Sequence, residues 1–122
     1  MGLISHDTAN LLTTGTAGTY FTADQKNLGC RGIKVGVNVT VDGGTGTLTV
    51  TVQGHDNASG AYYDILVGTA QNVASGFKVL TVYPDLTAAA NVTVNDVLPA
   101  VWRLKMVVAN TVTATVGASV LL

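Results

Sequence analysis

Apolar and polar residues alternate with period two along residues 31–56. The apolar positions before and after a Gly-rich segment are Ile33, Val35, Val37, Val39, Val41, Leu48, Val50 and Val52. Alternation rich in β-branched residues predicts strands with one buried face. The Gly-rich segment, residues 42–46, predicts a turn. We therefore expect a β-hairpin here.

Further strands are predicted on both sides of a second turn. Residues 54–60 gather turn-forming residues, and residues 61–67 follow as a short strand, which predicts a second hairpin. Residues 77–83 are typical of a strand that ends at Pro84. Residues 85–95 are expected to form a loop or a short helical turn around residues 88–90, which is too short for an independent helix.

The last third of the chain repeats the alternation. Apolar residues recur every second position from Trp102 to Val108 and again from Val112 to Val120, with a turn expected near Asn110. This pattern predicts two long strands. A tryptophan in a strongly alternating strand is typical of a core residue.

About seven to nine strands with turn signals every 8–12 residues favour an antiparallel β-sandwich or a jelly-roll-like barrel. A chain of 122 residues is expected to form one domain. We divide it into an N-terminal arm with edge strands, residues 1–27, and a β-sandwich, residues 28–122. The arm has a Thr- and Gly-rich stretch between two apolar pairs, and it could pack on its own domain or on a neighbouring subunit. Its candidate interface residues are Leu11, Leu12, Tyr20 and Phe21.

The composition is poor in charge. Apolar residues make up 48% of the chain and charged residues 11%, whereas about 25% charged residues is typical of soluble domains. The net charge of −1, with six scattered basic residues, argues against nucleic acid as a partner. No apolar run approaches the roughly 20 residues of a membrane helix, so no membrane partner is expected. A surface of uncharged polar residues can be buried against protein partners at low desolvation cost, which suits permanent assembly.

Residues for catalysis do not converge in the sequence. Ser5, His6 and Asp7 are of the right types for a nucleophile, a base and an orienting carboxylate. Three adjacent residues, however, cannot direct their side chains into one hydrogen-bonded relay. The two histidines, His6 and His55, have no metal-binding spacing. We therefore expect no enzymatic activity, no metal and no cofactor.

Two features at and after the second predicted turn could have a binding role. Asp56, Asn57 and Asp64 could offer oxygen ligands to Ca²⁺, although a turn capped by its own side chains is the favoured interpretation. Tyr62 and Tyr63 are candidates for stacking on a sugar ring. A carbohydrate-binding platform usually needs several aromatic residues on one face, and aromatic residues make up only 6% of the chain. A carbohydrate-binding module is therefore an alternative function and not the leading one.

Several stretches resemble a known family. They are residues 14–18, the run from Val35 through residues 43–50, residues 52–56 leading to residues 62–64, and the closing strand that begins at Trp102. Together they resemble small β-sandwich structural proteins of tailed bacteriophages over most of residues 14–121. The chain departs from the family where Ser-Pro pairs are expected, having residues 44–46 and 110–111 instead.

The resemblance implies a non-enzymatic virion protein that decorates or cements the head shell. Its implied partners are the major capsid protein and further copies of itself, with a trimer favoured by the threefold positions of head lattices. Its implied location is the head exterior, after assembly in the host cytoplasm. A tail or neck component is the alternative within the same class.

Overall fold

The computed structural model describes residues 7–8 and 14–122, and this part of the chain is almost entirely β-structure. The strands are β1 (Asp7–Thr8), β2 (Thr14–Phe21), β3 (Gln25–Lys26), β4 (Gly32–Val41), β5 (Thr47–His55), β6 (Tyr62–Val67), β7 (Lys78–Val82), β8 (Thr93–Val94) and β9 (Val101–Leu121). A short 3₁₀ turn, Val73–Ser75, precedes β7. The all-β fold predicted from the alternation is confirmed. The sheet departs from the predicted antiparallel arrangement at β7 and β8, which are parallel.

Strand β9 organises the sheet, because its 21 residues pair along both edges. On one edge it is antiparallel to β1, β2 and β3, and β2 follows it from Thr14, opposite Thr113, to Phe21, opposite Lys105. On the other edge the first half of β9 pairs with β5 and the second half with β4. Strand β6 extends the β5 side, and β7 followed by β8 extends the β4 side.

The two halves of this sheet enclose one core. The inward residues of β4, β5 and both halves of β9 are buried in a single apolar cluster. Its most deeply buried members are Ile33, Leu48, Leu104, Met106, Val35, Val37, Val50, Val52, Val82, Val112 and Val116. Trp102 is 3% exposed, which confirms its prediction as a core residue. The sheet therefore folds over itself as a two-layered sandwich that is nearly a barrel.

The hairpin predicted from residues 31–56 is wrong in its pairing. The two strands form as predicted, but β4 and β5 pair with β9 and not with each other. The link between them carries the chain from one layer to the other, and Gly46 donates its N–H to the carbonyl oxygen of Asp42 at 2.7 Å. Period-two alternation identifies a strand and its buried face, but it does not identify the strand's neighbour.

The turn predicted near Asn110 is instead a bend inside one continuous strand. Asn110 has a φ of 60°, and its side-chain amide donates a 3.1 Å hydrogen bond to the carbonyl oxygen of Thr45. Pairing continues on both sides of the bend. The second predicted hairpin is confirmed, since β5 and β6 are antiparallel and Gly60 donates its N–H to the Asp56 carbonyl oxygen at 2.7 Å.

Candidate functional site

A cluster of aromatic, charged and amide side chains lies on the outer face of the layer formed by β2, the first half of β9, β5 and β6. We call it the Arg103 cluster. Its members are Phe21, Asp24, Gln53, Tyr62, Asp64 and Arg103. They come from four different strands and from the link between β2 and β3, so only the folded sheet brings them together.

Arg103 occupies the centre of the cluster because its neighbours in β9, Trp102 and Leu104, point into the core. Its guanidinium carbon lies 3.9 Å from the centroid of the Phe21 ring and 3.3 Å from that of the Tyr62 ring. Cations over aromatic faces at these distances are attracted by the ring quadrupole, more strongly where water is excluded. The guanidinium therefore joins β2 to β6 across the layer.

Gln53 lies beneath this arrangement and is only 7% exposed. Its Oε1 accepts a 2.8 Å hydrogen bond from Arg103 Nε, and its Nε2 donates one of 2.8 Å to Asp64 Oδ1. A buried amide without partners would destabilise the fold. Arg103 and Asp64 satisfy both ends of this amide, so the three side chains form one connected network.

Tyr62 connects the two edges of the layer. Its hydroxyl donates a 2.7 Å hydrogen bond to Asp24 Oδ1, which lies beyond β9 in the link between β2 and β3. This hydrogen bond is the largest cause that raises the pKa of Tyr62 above its ordinary value of 10.0. The His55 ring lies beside the Tyr62 ring, with a distance of 4.7 Å between the ring centroids and an angle of 45° between the ring planes. The Tyr62 ring is thus fixed on two sides.

The tyrosines considered for sugar stacking do not form one platform. Consecutive strand residues point to opposite faces, and Tyr62 is half-buried with Arg103 over its ring. Tyr63 is 47% exposed and packs over Gly54, where an added Cβ would lie 2.4 Å from the tyrosine Cζ. A ligand could reach the free side of Tyr63, whereas the Tyr62 ring already has a partner.

The candidate interface residues of the arm have different environments. Leu11 and Leu12 lie outside the described residues. Tyr20 points inward against the core, and its hydroxyl donates a 2.8 Å hydrogen bond to the carbonyl oxygen of Thr16. Phe21 points outward, is 48% exposed and lies under Arg103. Phe21 is therefore the described member that a partner can contact.

The sequence did not predict Arg103, Gln53 and Asp24 as members of this site. Alternation in β9 places Arg103 on the outer face, and this signal was available in the sequence. Its partners were not predictable, because they depend on β9 lying between β2 and β5. Local spacing carries no information about that order.

The acidic residues near the second hairpin serve separate purposes. Asp56 accepts hydrogen bonds from the Ser59 hydroxyl at 2.6 Å and the Ala58 N–H at 3.2 Å. The Ser59 contact is the largest cause that lowers the pKa of Asp56. Asp64 is bonded to Gln53 instead. Within residues 7–8 and 14–122, no group of three or more His, Cys, Asp or Glu side chains could hold a metal ion.

An open groove of about 600 Å³ lies on the opposite layer, between β4, β7 and the loop that follows β7. Lys34, Thr81, Tyr83, Leu86, Thr93 and Leu121 are among its lining residues. Among the described residues that line this groove, none is a carboxylate or a histidine.

Comparison of the chain with family models, with curated proteins and with solved structures gave no match. In the part of the chain that the structure describes, no helix is long and apolar enough to cross a membrane. The Arg103 cluster holds β2, β9, β5 and β6 together and leaves part of Phe21 accessible beside the outer edge of β2.

Proposed function

We propose that this chain is a non-enzymatic structural protein of a tailed-bacteriophage virion, which decorates the outside of the head shell and stabilises it. Its partners in this role are the major capsid protein and further copies of itself. It would be made in the host cytoplasm and reside on the head exterior. The resemblance of residues 14–121 to small phage β-sandwich proteins suggests this class.

One structural observation carries the proposal. Strand β2 is an eight-residue edge strand with no charged residue, and Thr16, Ala17, Gly18 and Thr19 along it are exposed. Soluble proteins commonly guard such edges with lysine, proline or a covering element. An edge that is open and uncharged is suited to burial against another protein, as in a permanent shell.

The carbohydrate-binding alternative is less favoured by the site geometry. A stacking platform needs aromatic faces that are free and lie on one side, yet Tyr62 and Tyr63 point to opposite faces of β6. Arg103 also covers the Tyr62 ring at 3.3 Å. A tail or neck location remains the alternative within the structural class.

The test adds the purified chain to phage heads assembled without it. We expect saturable binding to the heads and a higher temperature of head disruption. Heads that already carry the protein are the control and should bind no more of it. Tails purified from the same phage form a second arm, and binding to tails alone would replace decoration with the tail alternative. Absence of binding to either particle would contradict the proposal.

A further inference from the structure

The outer edge of β2 offers unpaired backbone groups at defined positions. Thr22 donates its N–H to the carbonyl oxygen of Leu104 at 3.0 Å. In an antiparallel pair, successive residues turn their N–H and C=O groups alternately toward and away from the partner strand. Tyr20 and Gly18 therefore bond toward β9, whereas the backbone groups of Thr19 and Phe21 point to the open edge.

The other edges in the described residues are better protected. The end of β6 is capped by Asn91, whose side chain donates a 2.9 Å hydrogen bond to the carbonyl oxygen of Val67, and β6 carries the charged Asp64. Strand β8 pairs with the last two residues of β7, and β7 begins with the charged Lys78. Strand β2 has neither a charge nor a proline among its eight residues. Its pairing with β9 shifts register between Thr16 and Gly18, and this bulge interrupts the edge there, so residues 19–21 form its regular part. Strand β2 is therefore the edge most open to addition of a further strand.

The open edge is also held in place. Phe21 packs under Arg103, and the Thr22 hydroxyl accepts a 3.0 Å hydrogen bond from the Leu104 N–H. Asp24 is bonded to Tyr62 on the far side of the layer. A strand whose position is fixed before binding loses less conformational entropy when a partner pairs with it.

We propose that the edge of β2 around Thr19 and Phe21 binds the same edge of a second copy of this chain, as an antiparallel β2–β2 pair. A strand without charges can meet its own copy without like-charge repulsion, and an antiparallel pair of identical strands has the twofold symmetry of a closed dimer. This inference deepens the proposed structural role and rests on it. It predicts a dimer, in contrast to the trimer that the family resemblance favours.

Two substitutions at Thr19 test the pairing. Thr19→Pro removes the outward N–H that would bond to the second copy, and it removes none of the bonds from β2 to β9. Thr19→Lys keeps the N–H and adds a charge at the edge. Thr115→Lys is the matched control, because it adds the same charge at an exposed position of β9, away from the open edge.

The measurement is mass by light scattering during size-exclusion chromatography. We expect the parent and Thr115→Lys at twice the 12.5 kDa chain mass, and both Thr19 variants at the single-chain mass. If Thr19→Pro fails to fold, Thr19→Lys decides. A parent that stays at the single-chain mass, or Thr19 variants that still dimerise, would overturn the inference.

The same samples separate this inference from the proposed function. A parent of single-chain mass that binds heads at full occupancy overturns the β2 pairing and leaves the decoration role in place. A parent that is a dimer but binds no phage particle supports the β2 pairing and contradicts the decoration role.

Discussion

The Tyr62 hydroxyl donates a 2.7 Å hydrogen bond to Asp24 although 38 residues separate them in the chain. This contact spans the layer from β6 to the link between β2 and β3. Between its two ends, Arg103 lies against both Phe21 and Tyr62. The outer face of the layer thus fixes the strand whose open edge we propose to be the assembly surface.

Replacing Arg103 tests the strength of this arrangement. Arg103→Met keeps an unbranched aliphatic side chain but removes the guanidinium. Gln53 Oε1 is then buried without its donor, and no cation lies between the two rings. We expect unfolding in denaturant to show a loss of about 1–3 kcal/mol. Lys105→Met is the control on the same strand face and should change stability by less than about 0.5 kcal/mol. Equal effects of the two substitutions would contradict a special role for Arg103.

Hydrogen exchange gives a second, local test of the cluster. Tyr62→Phe removes only the hydroxyl that bonds to Asp24, so amides of residues 14–26 should exchange faster while those of β4 keep their protection. Tyr63→Phe is the matched control and should leave the exchange of residues 14–26 unchanged. If Tyr62→Phe also leaves it unchanged, the hydrogen bond does not hold β2.

Trp102 should be a major contributor to the core. Trp102→Ala removes a side chain that is 3% exposed, and we expect a cost of about 3–5 kcal/mol in thermal or denaturant unfolding. Its indole Nε1 is buried and has no hydrogen-bond partner among the described residues, so Trp102→Phe should cost less than Trp102→Ala. Phe77→Ala is the control at a 66% exposed ring. A Trp102→Ala melt equal to that of the parent would show that the assigned core is wrong.

A substitution at Gly46 tests the link between β4 and β5, which carries the chain from one layer to the other. A Cβ at this position would lie 2.2 Å from the carbonyl oxygen of Thr111, and backbone there cannot move without disturbing the bend in β9. We expect Gly46→Ala to cost about 3 kcal/mol. Gly36→Ala is the control, since its Cβ would meet only the Phe77 ring at 3.0 Å, and that side chain is exposed and can move. A neutral Gly46→Ala would contradict the described crossing.

Stability should fall in acid partly through Asp42. Its carboxylate accepts the Gly44 N–H at 2.8 Å and the Val73 N–H at 3.0 Å, and these hydrogen bonds lower its pKa below the ordinary value of 3.8. A depressed carboxylate pKa gives stability that is present above pH 3.8 and lost as the pH falls through the folded-state pKa.

Melting curves between neutral and acidic pH check this sign. Asp42→Asn should melt below the parent at neutral pH, and the difference should shrink below pH 3.8. Asp85→Asn serves as the control at an exposed carboxylate in the loop after β7. A difference between Asp42→Asn and the parent that grew toward acid would have the wrong sign for this account.

The alternation of residues predicted which segments are strands and which faces are buried. It did so for β4, β5 and β9 because burial on one face of a strand requires period two. It did not predict that Asn110 bends one long strand, since the same residue type also forms turns between separate strands. Nor did it predict that β4 and β5 lie in different layers, because strand pairing is decided by contacts distant in sequence.

The candidate site was predictable only in part. Phe21 and Tyr62 were identified as exposed aromatic candidates, but for two different purposes, an interface and a sugar platform. Their joint contact with Arg103 follows from the order of β2, β9, β5 and β6 in the sheet. That order is a property of the whole fold and leaves no local pattern in the sequence.

The most direct test of the decoration proposal is the number and position of copies in the mature particle. Quantitative mass spectrometry of purified virions gives the ratio of this chain to the major capsid protein, and cryo-electron microscopy locates it. We predict a regular ratio of this chain to the capsid protein and density repeated over the outer head lattice. A handful of copies per particle, or density confined to the neck or tail, would contradict it.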